Sequence, residues 1–434
     1  MARHRTKRTH LIALLLAIAA ALGWSTVSLP GWANDDAPTA KANPQRRSPQ
    51  PLSCDQQDSP DKGWYQAVYV HRAGNSPRPG AAKHIRQVLW NIDQIFEASA
   101  RRFGKKDSRR LRLIQDSSCQ AKVIILPVSG LPATLPDFAA SHKAADAAIA
   151  KKADQMSDED QERFKRTRIL YFFDTGVPKC GVGSTPGPKG RANLHTGTAA
   201  VSWKCANDGA LSHEMIHQFG VTHCDERKDQ GNDPICRKYD KTPRCNDILA
   251  PVVLDCTKDE FAYFSPRPAP RSALAKRPGE NAANSPYLIK NDPAPPVDAR
   301  LVSTRTAECL GVGGAHEAIH QTCKDNDTHT WRRTIDDQGF LTLEHRASGK
   351  CLAAPAKSAP STQTAVRVES CAPKASRQQW WMSPTESAAD EYLLVNRSTG
   401  QRLQVPGSAG APGRVLQAAT GGTAVIFRME GAPQ

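Results

Sequence analysis

The stretch LSHEMIHQFGVTHCDE, residues 211–226, places three histidines at short, unequal intervals around Glu214, in a chain that has only 13 histidines among 434 residues. On a helix, His213 and His217 share one face, because residues i and i+4 have Cβ atoms about 5–6 Å apart. That separation suits two imidazole nitrogens that bind one Zn²⁺ at about 2.0–2.1 Å. We therefore expect a zinc site on a helix, with Glu214 placed to take a proton from a metal-bound water.

Gly220 predicts where this helix ends, because glycine tolerates the positive φ of a sharp turn. The turn would bring His223 back to the same ion as the third ligand, which leaves one position for water, as in catalytic zinc sites. Leu211, Ile216 and Phe219 can face the core while the histidines face a cleft. The alternative is an amphipathic helix that carries surface histidines.

HEMIHQFGVTH, residues 213–223, resembles the motif of the metzincin zinc peptidases at every fixed position. The resemblance implies a zinc endopeptidase with His213, His217 and His223 as ligands and Glu214 as general base. The flanking SWKC, HCDE and NAANSPYL are also similar to a family of secreted actinobacterial proteins that carry such a motif. The resemblance covers roughly residues 64–288 and implies an α+β, metzincin-like fold.

The chain departs from the metzincin pattern in one respect, the methionine turn below the metal. No methionine follows the motif before Met382. DPIC (233–236) or NDIL (246–249) could supply the turn, with Ile235 or Leu249 in the place of the methionine. Because that side chain packs under the site without binding zinc, an aliphatic residue should be tolerated there.

The resemblance also implies a mechanism and a substrate position. Zinc would polarise the scissile carbonyl, while Glu214 takes the proton of the water and passes it to the leaving amine. Family geometry places an extended substrate beside an edge strand, here expected at 196–204, through backbone hydrogen bonds. Tyr239 or Tyr263 could stabilise the oxyanion; the alternative is that either is a packed aromatic.

The N-terminus has the pattern of an export signal. Arg3, Arg5 and neighbouring basic residues precede the apolar run LIALLLAIAAALGW, and Ala33 ends a small-x-small triplet. We predict a signal peptide at 1–33 and a flexible, Pro- and Gln-rich leader at 34–62, with the mature chain secreted, extracellular and outside the membrane. The alternative is an uncleaved anchor, for which the apolar run is short.

Charge and cysteine content restrict the partners and the compartment. The formal net charge is +15, which favours anionic cell-surface polymers or polysaccharides, or is simply a solvated basic surface. No nucleic-acid recognition motif accompanies it, so we expect no nucleic-acid partner. All 12 cysteines follow the signal and no Cys-x-x-Cys pair is present, which indicates disulfides rather than a cysteine metal site.

Cysteine pairing is predicted in part. We expect Cys180 with Cys205 near the active-site strand, and pairings among the four cysteines that follow the motif, at positions 224, 236, 245 and 256. The connectivity of those four cannot be read from the sequence. Cys224 could instead touch the metal.

The order of apolar patterns over residues 63–288 predicts one domain. A strand at 64–74 precedes a helix at 81–104, whose apolar stripe recurs at helical spacing (Ile85, Val88, Leu89, Ile92, Ile95 and Phe96). The full order, β-α-β-β-α-β-β-α, indicates a mixed sheet covered by helices. A Pro-rich linker is expected at 289–297.

Residues 298–434 contain three similar segments. Trp331, Trp380 and Phe427 recur near the segment ends at intervals of 49 and 47 residues, so units that cannot bury a core alone should close together. The pattern resembles the ricin-type β-trefoil, whose repeats end in Gln-x-Trp. Only Gln378-Gln379-Trp380 keeps that signature, and His329 and Val425 replace the glutamine elsewhere.

The trefoil resemblance implies disulfides Cys309–Cys323 and Cys351–Cys371 within repeats. The family's sugar sites use an aspartate where this chain has Gly311, Ala353 and Gln404. None of these three can accept two hydroxyl hydrogen bonds as a carboxylate does. Carbohydrate binding at the usual pockets is therefore an open question, and the tryptophans are expected in the core.

These patterns lead to three hypotheses. The first is a secreted, monomeric zinc endopeptidase that acts on protein or peptide and carries a trefoil for carbohydrate or surface binding. The second is an inactive glycan- or cell-wall-binding protein that uses the peptidase fold as a scaffold. The third gives the metal another target, such as an amide of cell-wall material. The intact Glu214 favours an enzyme, whereas the missing methionine and aspartates favour the second.

Overall fold

The computed structural model describes residues 54–55, 57–131, 138–175, 180–184, 196–221, 233–235, 253–255, 262–356, 364–385, 390–404, 413–418 and 426–431. The predicted signal peptide and most of the predicted leader lie outside the described residues. Within the described ranges, no helix is long and apolar enough to cross a membrane.

The first region holds twelve α-helices and β-strands among its described residues. In chain order they are β1 (Trp64–Arg72), α1 (Ala81–Arg101), β2 (Arg109–Leu111), β3 (Val123–Val128), α2 (Phe138–Ala153), α3 (Asp158–Lys165), β4 (Thr167–Phe173), β5 (Gly181–Gly183), β6 (Thr198–Ser202), α4 (Asp208–His217), α5 (Ala273–Lys276) and β7 (Leu288–Lys290). Single 3-10 turns cover Trp203–Cys205, Pro278–Glu280 and Ala282–Asn284.

The main sheet has the order β3-β1-β4-β6-β5. Its first four strands are parallel, and β5 runs antiparallel to β6. Helices α1 and α4 cover one face and α2 covers the other, since the two buried clusters contain alternate residues of the same strands. The predicted mixed sheet with covering helices is therefore present. β2 and β7 form a separate two-stranded ladder.

Cys54 and Asp58 are bonded to the first region, although both lie in the segment 34–62 that was predicted to be a flexible leader. Cys54 forms a disulfide with Cys119. The carboxylate of Asp58 accepts hydrogen bonds from Trp64 and from the guanidinium groups of Arg163 and Arg166. Burial alone would raise the pKa of Asp58, but these hydrogen bonds lower it to about 2, so it stays ionised and holds the segment at neutral pH.

The second region is all β. Its strands are β8 (Val297–Ser303), β9 (Cys309–Val312), β10 (Ala318–Gln321), β11 (Trp331–Ile335), β12 (Leu341–His345), β13 (Lys350–Ala353), β14 (Thr364–Ala365), β15 (Arg367–Ser370), β16 (Trp380–Pro384), β17 (Glu391–Asn396), β18 (Arg402–Gln404), β19 (Gly413–Arg414), β20 (Leu416–Ala418) and β21 (Phe427–Gly431). Single 3-10 turns cover Gly314–His316, Asp327–His329 and Ser376–Gln378.

Strand pairing closes this region into a barrel. The antiparallel pairs β8/β11, β11/β12, β12/β16, β16/β17, β17/β21 and β21/β8 form a complete ring of six strands. Three hairpins, β9/β10, β13/β15 and β18/β20, stand outside the ring, one in each repeat. Six barrel strands and three hairpins give a β-trefoil-like architecture, as the threefold repetition predicts.

The repeat-ending aromatic residues have equivalent roles in the barrel core. The indole N–H of Trp331 donates to the carbonyl of Leu310 at 2.8 Å, and that of Trp380 donates to the carbonyl of Leu352 at 2.9 Å. Phe427, at the third position, is fully buried. These side chains are core residues, as predicted, and each tryptophan joins the end of its repeat to the first strand of that repeat's hairpin.

Helix α1 lies between the two regions and is buried on both sides. The predicted apolar stripe faces the sheet. On the other side, the hydroxyl of Tyr392 donates to Asn91 Oδ1 at 2.7 Å and accepts from Gln87 Nε2 at 2.6 Å. Arg333 lies over the ring of Trp90 at 4.7 Å. The trefoil is thus packed onto the helix by polar contacts that the apolar stripe does not predict.

The segment predicted as the linker, 289–297, is also held against the first region. Ile289 and Lys290 belong to β7, and the carbonyl of Asp292 accepts from the Ser108 hydroxyl at 2.8 Å. The backbone N–H of Ala294 donates to the buried carboxylate of Glu97 at 3.2 Å. The segment that connects the two regions is therefore hydrogen-bonded to the first region at several points.

Candidate metal centre

Helix α4 carries the histidine motif and is fixed at its start and on its inner face. The side chain of Asn207 caps the helix by accepting from the N–H of Ala210 at 2.8 Å. Leu211, Ile216 and, just after the helix, Phe219 are buried in the main core. The predicted division of this helix into a core face and a histidine face is confirmed.

His213 and His217 point their Nε2 atoms at one another. The two Nε2 atoms are 3.2 Å apart. The Nδ1 of His213 lies 2.8 Å from the carbonyl oxygen of Pro234, and the Nδ1 of His217 lies 2.8 Å from that of Val221. Because a carbonyl oxygen only accepts, both Nδ1 atoms carry a proton, so the neutral form of each ring has its lone pair on Nε2.

This arrangement fits a zinc ion. Two imidazole nitrogens that face each other at 3.2 Å are stabilised when a cation, either a proton on one ring or a shared metal ion, lies between them. Bonds of about 2.1 Å at a tetrahedral angle place two zinc-bound nitrogens roughly 3.4 Å apart, close to the observed separation. Metal-bound histidines also almost always donate their other N–H to a carboxylate, a backbone carbonyl or a water. The two described histidines therefore fit as part of the donor set expected for Zn²⁺.

The turn after the helix agrees with the prediction for Gly220. Its φ is 79°, and its N–H donates to the carbonyl of His217 at 2.9 Å. The left-handed turn lets the next carbonyl, that of Val221, reach back to the imidazole of His217. His223, the predicted third ligand, lies outside the described residues, so its position stays a prediction.

Glu214 lies beside the histidine pair and against β5. One oxygen of its carboxylate is within 4.8 Å of ligand atoms of both histidines, and the residue is 9% exposed. A Cβ at Gly181 would lie 2.6 Å from Glu214 Oε1, and one at Gly183 would lie 2.4 Å from its carbonyl oxygen. Two glycines therefore let a strand approach the acid more closely than any side chain would permit.

The edge of the sheet next to the site is β5, which corrects the prediction for residues 196–204. β6, which these residues contain, pairs with β4 on one side and with β5 on the other. Among the described residues, no strand pairs with the outer side of β5. The prediction was wrong because Gly181-Val182-Gly183 has little strand propensity, so that β6 looks like the last strand.

Residues 233–235 lie against His213, as expected for the first of the two methionine-turn candidates. The carbonyl of Pro234 accepts the hydrogen bond from the Nδ1–H of His213, and Ile235 is buried in the main core. The second candidate, 246–249, lies outside the described residues. Sequence reasoning missed the role of the Pro234 carbonyl, because nothing in a sequence shows which carbonyl faces a histidine.

Tyr263 is a packed residue. It is 5% exposed, and its hydroxyl donates to Asp233 Oδ1 at 2.7 Å. Burial, reinforced by Asp233 and Asp255, raises the pKa of Tyr263 well above its usual range. The oxyanion role considered for it is therefore not supported. Tyr239 lies outside the described residues.

Three predicted disulfides are present. Cys180–Cys205 joins the start of β5 to the turn after β6, and Cys309–Cys323 and Cys351–Cys371 lie within trefoil repeats. Cys54–Cys119 was not predicted, since its partners are 65 residues apart with no local signal. The cysteines at 224, 236, 245 and 256 lie outside the described residues.

The trefoil positions that replace the sugar-binding aspartate are enclosed. A Cβ at Gly311 would lie 2.8 Å from the ring of His329 and 3.0 Å from Gln321 Nε2. Ala353 and Gln404 are 1% and 7% exposed. The space that an aspartate would occupy in the first repeat is filled by His329 and Gln321, which contact each other at 2.8 Å.

Comparison with known proteins identifies the second region. Residues 341–419 match the model of a ricin-type β-trefoil lectin domain-like family. The matched residues run from the first residue of β12 to the residue after β20. The C-terminal region is thus a ricin-type β-trefoil lectin-like domain. No sequence of a curated protein matches the chain.

Solved structures with a similar region include a designed and two natural proteins. The designed threefold-symmetric protein ThreeFoil has 25% identity and a TM-score of 0.28, over 31% of this chain and 97% of its own. The Macrolepiota procera ricin B-like lectin, solved with lactose, has 16% identity and a TM-score of 0.27, over 31% and 95%. The Haemophilus ducreyi cytolethal distending toxin has 13% and 0.26, over 31% and 83%.

Proposed function

We propose that the chain is a secreted zinc-dependent endopeptidase whose β-trefoil binds carbohydrate or another cell-surface polymer. The observation that carries the enzymatic part is the pair of Nε2 atoms of His213 and His217, which face each other while both Nδ1 protons are bound to backbone carbonyls. His223 is the proposed third ligand. The resemblance of residues 213–223 to the metzincin motif supports the same assignment.

The metal, Glu214 and strand β5 would each have a separate role in the reaction. A zinc ion at this site would supply Lewis-acid polarisation and activation of water. The carboxylate of Glu214, held beside the histidines by β5, would accept a proton and return it to the leaving amine. The outer edge of β5 would pair with an extended peptide through backbone hydrogen bonds, which places the substrate next to Glu214.

Secretion is supported by the disulfides. Four are present among the described residues, and such bonds persist in oxidising compartments outside the cytosol. The predicted signal peptide at 1–33 is consistent with this location.

The enzymatic proposal predicts one zinc per chain and hydrolysis that depends on it. The mature chain would be purified, its bound metal quantified, and cleavage of a broad peptide library measured with and without a chelator. We expect cleavage to stop with the chelator and to return when Zn²⁺ is restored. Zinc bound at one per chain with no turnover would instead support the inactive scaffold, and cleavage of cell-wall amides alone would support the third hypothesis.

The trefoil proposal rests on the family match and is tested separately. The zinc-loaded chain would be applied to an array of immobilised glycans and cell-wall polymers, and we expect retention on at least one class. Because Gly311, Ala353 and Gln404 are enclosed, free monosaccharides at millimolar concentration should compete poorly. The absence of binding on all surfaces would remove the carbohydrate role without affecting the enzymatic one.

A further inference from the structure

A buried acidic network lies behind His213, outside the set of residues that the motif predicts. Asp233, Asp255 and Tyr263 are all nearly inaccessible, at 0%, 2% and 5% exposure. They come from three separate segments, 233–235, 253–255 and 262–265. Their hydrogen bonds converge on the carboxylate of Asp233, so this residue joins the segments beside the metal centre.

The carboxylate of Asp233 accepts from three donors. Its Oδ1 receives the N–H of Ile235 at 3.1 Å and the hydroxyl of Tyr263 at 2.7 Å. Its Oδ2 receives the N–H of Asp255 at 2.9 Å. Because an amide has one acceptor oxygen where a carboxylate has two, an amide of the same shape cannot satisfy all three donors.

Asp255 extends the network away from the histidines. Its Oδ2 accepts from the N–H groups of Tyr263 and Phe264, at 3.2 Å and 3.1 Å. Arg102 lies at the end of α1 and interacts electrostatically with the two buried carboxylates: burial lowers the pKa of Arg102, and the charges of Asp255 and Asp233 oppose that shift. Arg102 thus offsets part of the negative charge of the network.

Between Asp233 and Ile235 lies Pro234, whose carbonyl receives the Nδ1 proton of His213 at 2.8 Å. The bond from the Asp233 side chain to the N–H of Ile235 closes a turn around this peptide. Proline further restricts the turn, because its ring fixes φ. The direction of the carbonyl, and with it the tautomer and orientation of His213, therefore depends on the carboxylate of Asp233.

We propose that Asp233 is a positioning residue for the metal centre, which acts on zinc affinity through the Pro234 carbonyl and His213. The inference rests on the proposed function in so far as the histidine pair binds zinc. Asp233 is not in the group of described residues whose possible ligand atoms lie within 4.8 Å of one another, which is His213, Glu214 and His217. Groups that orient a metal ligand in this way contribute about 10- to 100-fold to metal affinity.

The test compares Asp233→Asn with Asp255→Asn in the full chain. Both replace a buried carboxylate of the same network, but only the first changes the side chain that closes the turn at Pro234, because a single amide oxygen cannot accept from the N–H groups of Ile235 and Asp255 together. Zinc affinity would be measured by competition with a chromophoric chelator, and the stability of the metal-free protein by thermal unfolding. We expect Asp233→Asn to weaken zinc binding about 10- to 100-fold, and Asp255→Asn to weaken it by less than about threefold despite a comparable loss of stability.

A spectroscopic measurement separates positioning from general destabilisation. Co²⁺ would be bound in place of zinc, and its visible absorption, which reports ligand geometry, should change in Asp233→Asn and stay as in the wild type in Asp255→Asn. If Asp233→Asn does not fold, Tyr263→Phe removes one donor to the same carboxylate and should weaken zinc binding by several-fold.

Equal zinc affinity in the wild type and Asp233→Asn would overturn the inference, as would equal weakening in both variants in proportion to their loss of stability. Either result leaves the proposed peptidase intact. A wild-type chain that binds neither Zn²⁺ nor Co²⁺ is a different outcome, because it overturns the proposed function and the inference together.

Discussion

Glu214→Gln is expected to reduce peptide hydrolysis about 10²- to 10⁴-fold, the range that a positioned general base contributes, with zinc still bound. The amide has nearly the same shape, so the packing of this side chain against Gly181 should be retained. It cannot accept a proton at neutral pH. The measurement is kcat and KM on the best substrate of a peptide library, with zinc content determined on the same sample.

The matched comparison is His217→Gln, which removes one of the two facing imidazoles. It should lose both zinc and hydrolysis, whereas Glu214→Gln should lose hydrolysis alone. If Glu214→Gln cleaved peptides at the wild-type rate, Glu214 would not be the base. If it lost its zinc, Glu214 would be acting as a ligand. Its carboxylate lies within 4.8 Å of the donor atoms of both histidines, so the zinc content of the variant distinguishes a ligand from a base.

Gly183→Ala is expected to damage the site through the backbone. The added methyl group would lie 2.4 Å from the carbonyl oxygen of Glu214 and 3.0 Å from the Cβ of His217. These atoms belong to α4 itself and cannot rotate away, so the strand or the helix must shift. We expect a loss of about 1–3 kcal/mol in the free energy of unfolding and hydrolysis about 100-fold lower, as for a displacement of about 1 Å.

Two variants of the same strand are controls for Gly183→Ala. Val182, which points to the opposite face and is 37% exposed, should tolerate alanine with unchanged stability and zinc affinity. Gly181→Ala would meet the Glu214 carboxylate at 2.6 Å and the carbonyl of Ala200 at 2.9 Å. It should lower hydrolysis more than zinc affinity. Wild-type stability and zinc affinity in Gly183→Ala would show that β5 does not support the site.

The features that the sequence predicts best are those encoded within a few residues. The spacing of His213 and His217, the core face of α4 and the turn at Gly220 all follow from helix geometry and glycine stereochemistry. The threefold spacing of Trp331, Trp380 and Phe427 likewise predicts the closed barrel, because each unit lacks a core of its own.

The features that escaped prediction depend on contacts between distant segments. β5 was missed because three residues with two glycines lack the alternating apolar pattern of a strand. The second buried face of α1 carries Gln87 and Asn91, which read as solvent-exposed until Tyr392 of the trefoil supplies their partner. The role of Asp233 depends on contacts among three segments of the chain, and no local sequence pattern indicates such contacts.

The burial of α1 between the sheet and the trefoil affects how this protein could evolve. A sugar-binding module on a free tether can be exchanged, duplicated or lost without cost to its neighbour. Here the guanidinium of Arg333, in the trefoil, stacks on Trp90 and donates to Gln94 Oε1 at 2.8 Å. Removal of the trefoil would expose these two side chains of α1 to water. The two regions are therefore expected to be inherited as one unit, and a recombinant chain truncated at residue 297 should aggregate.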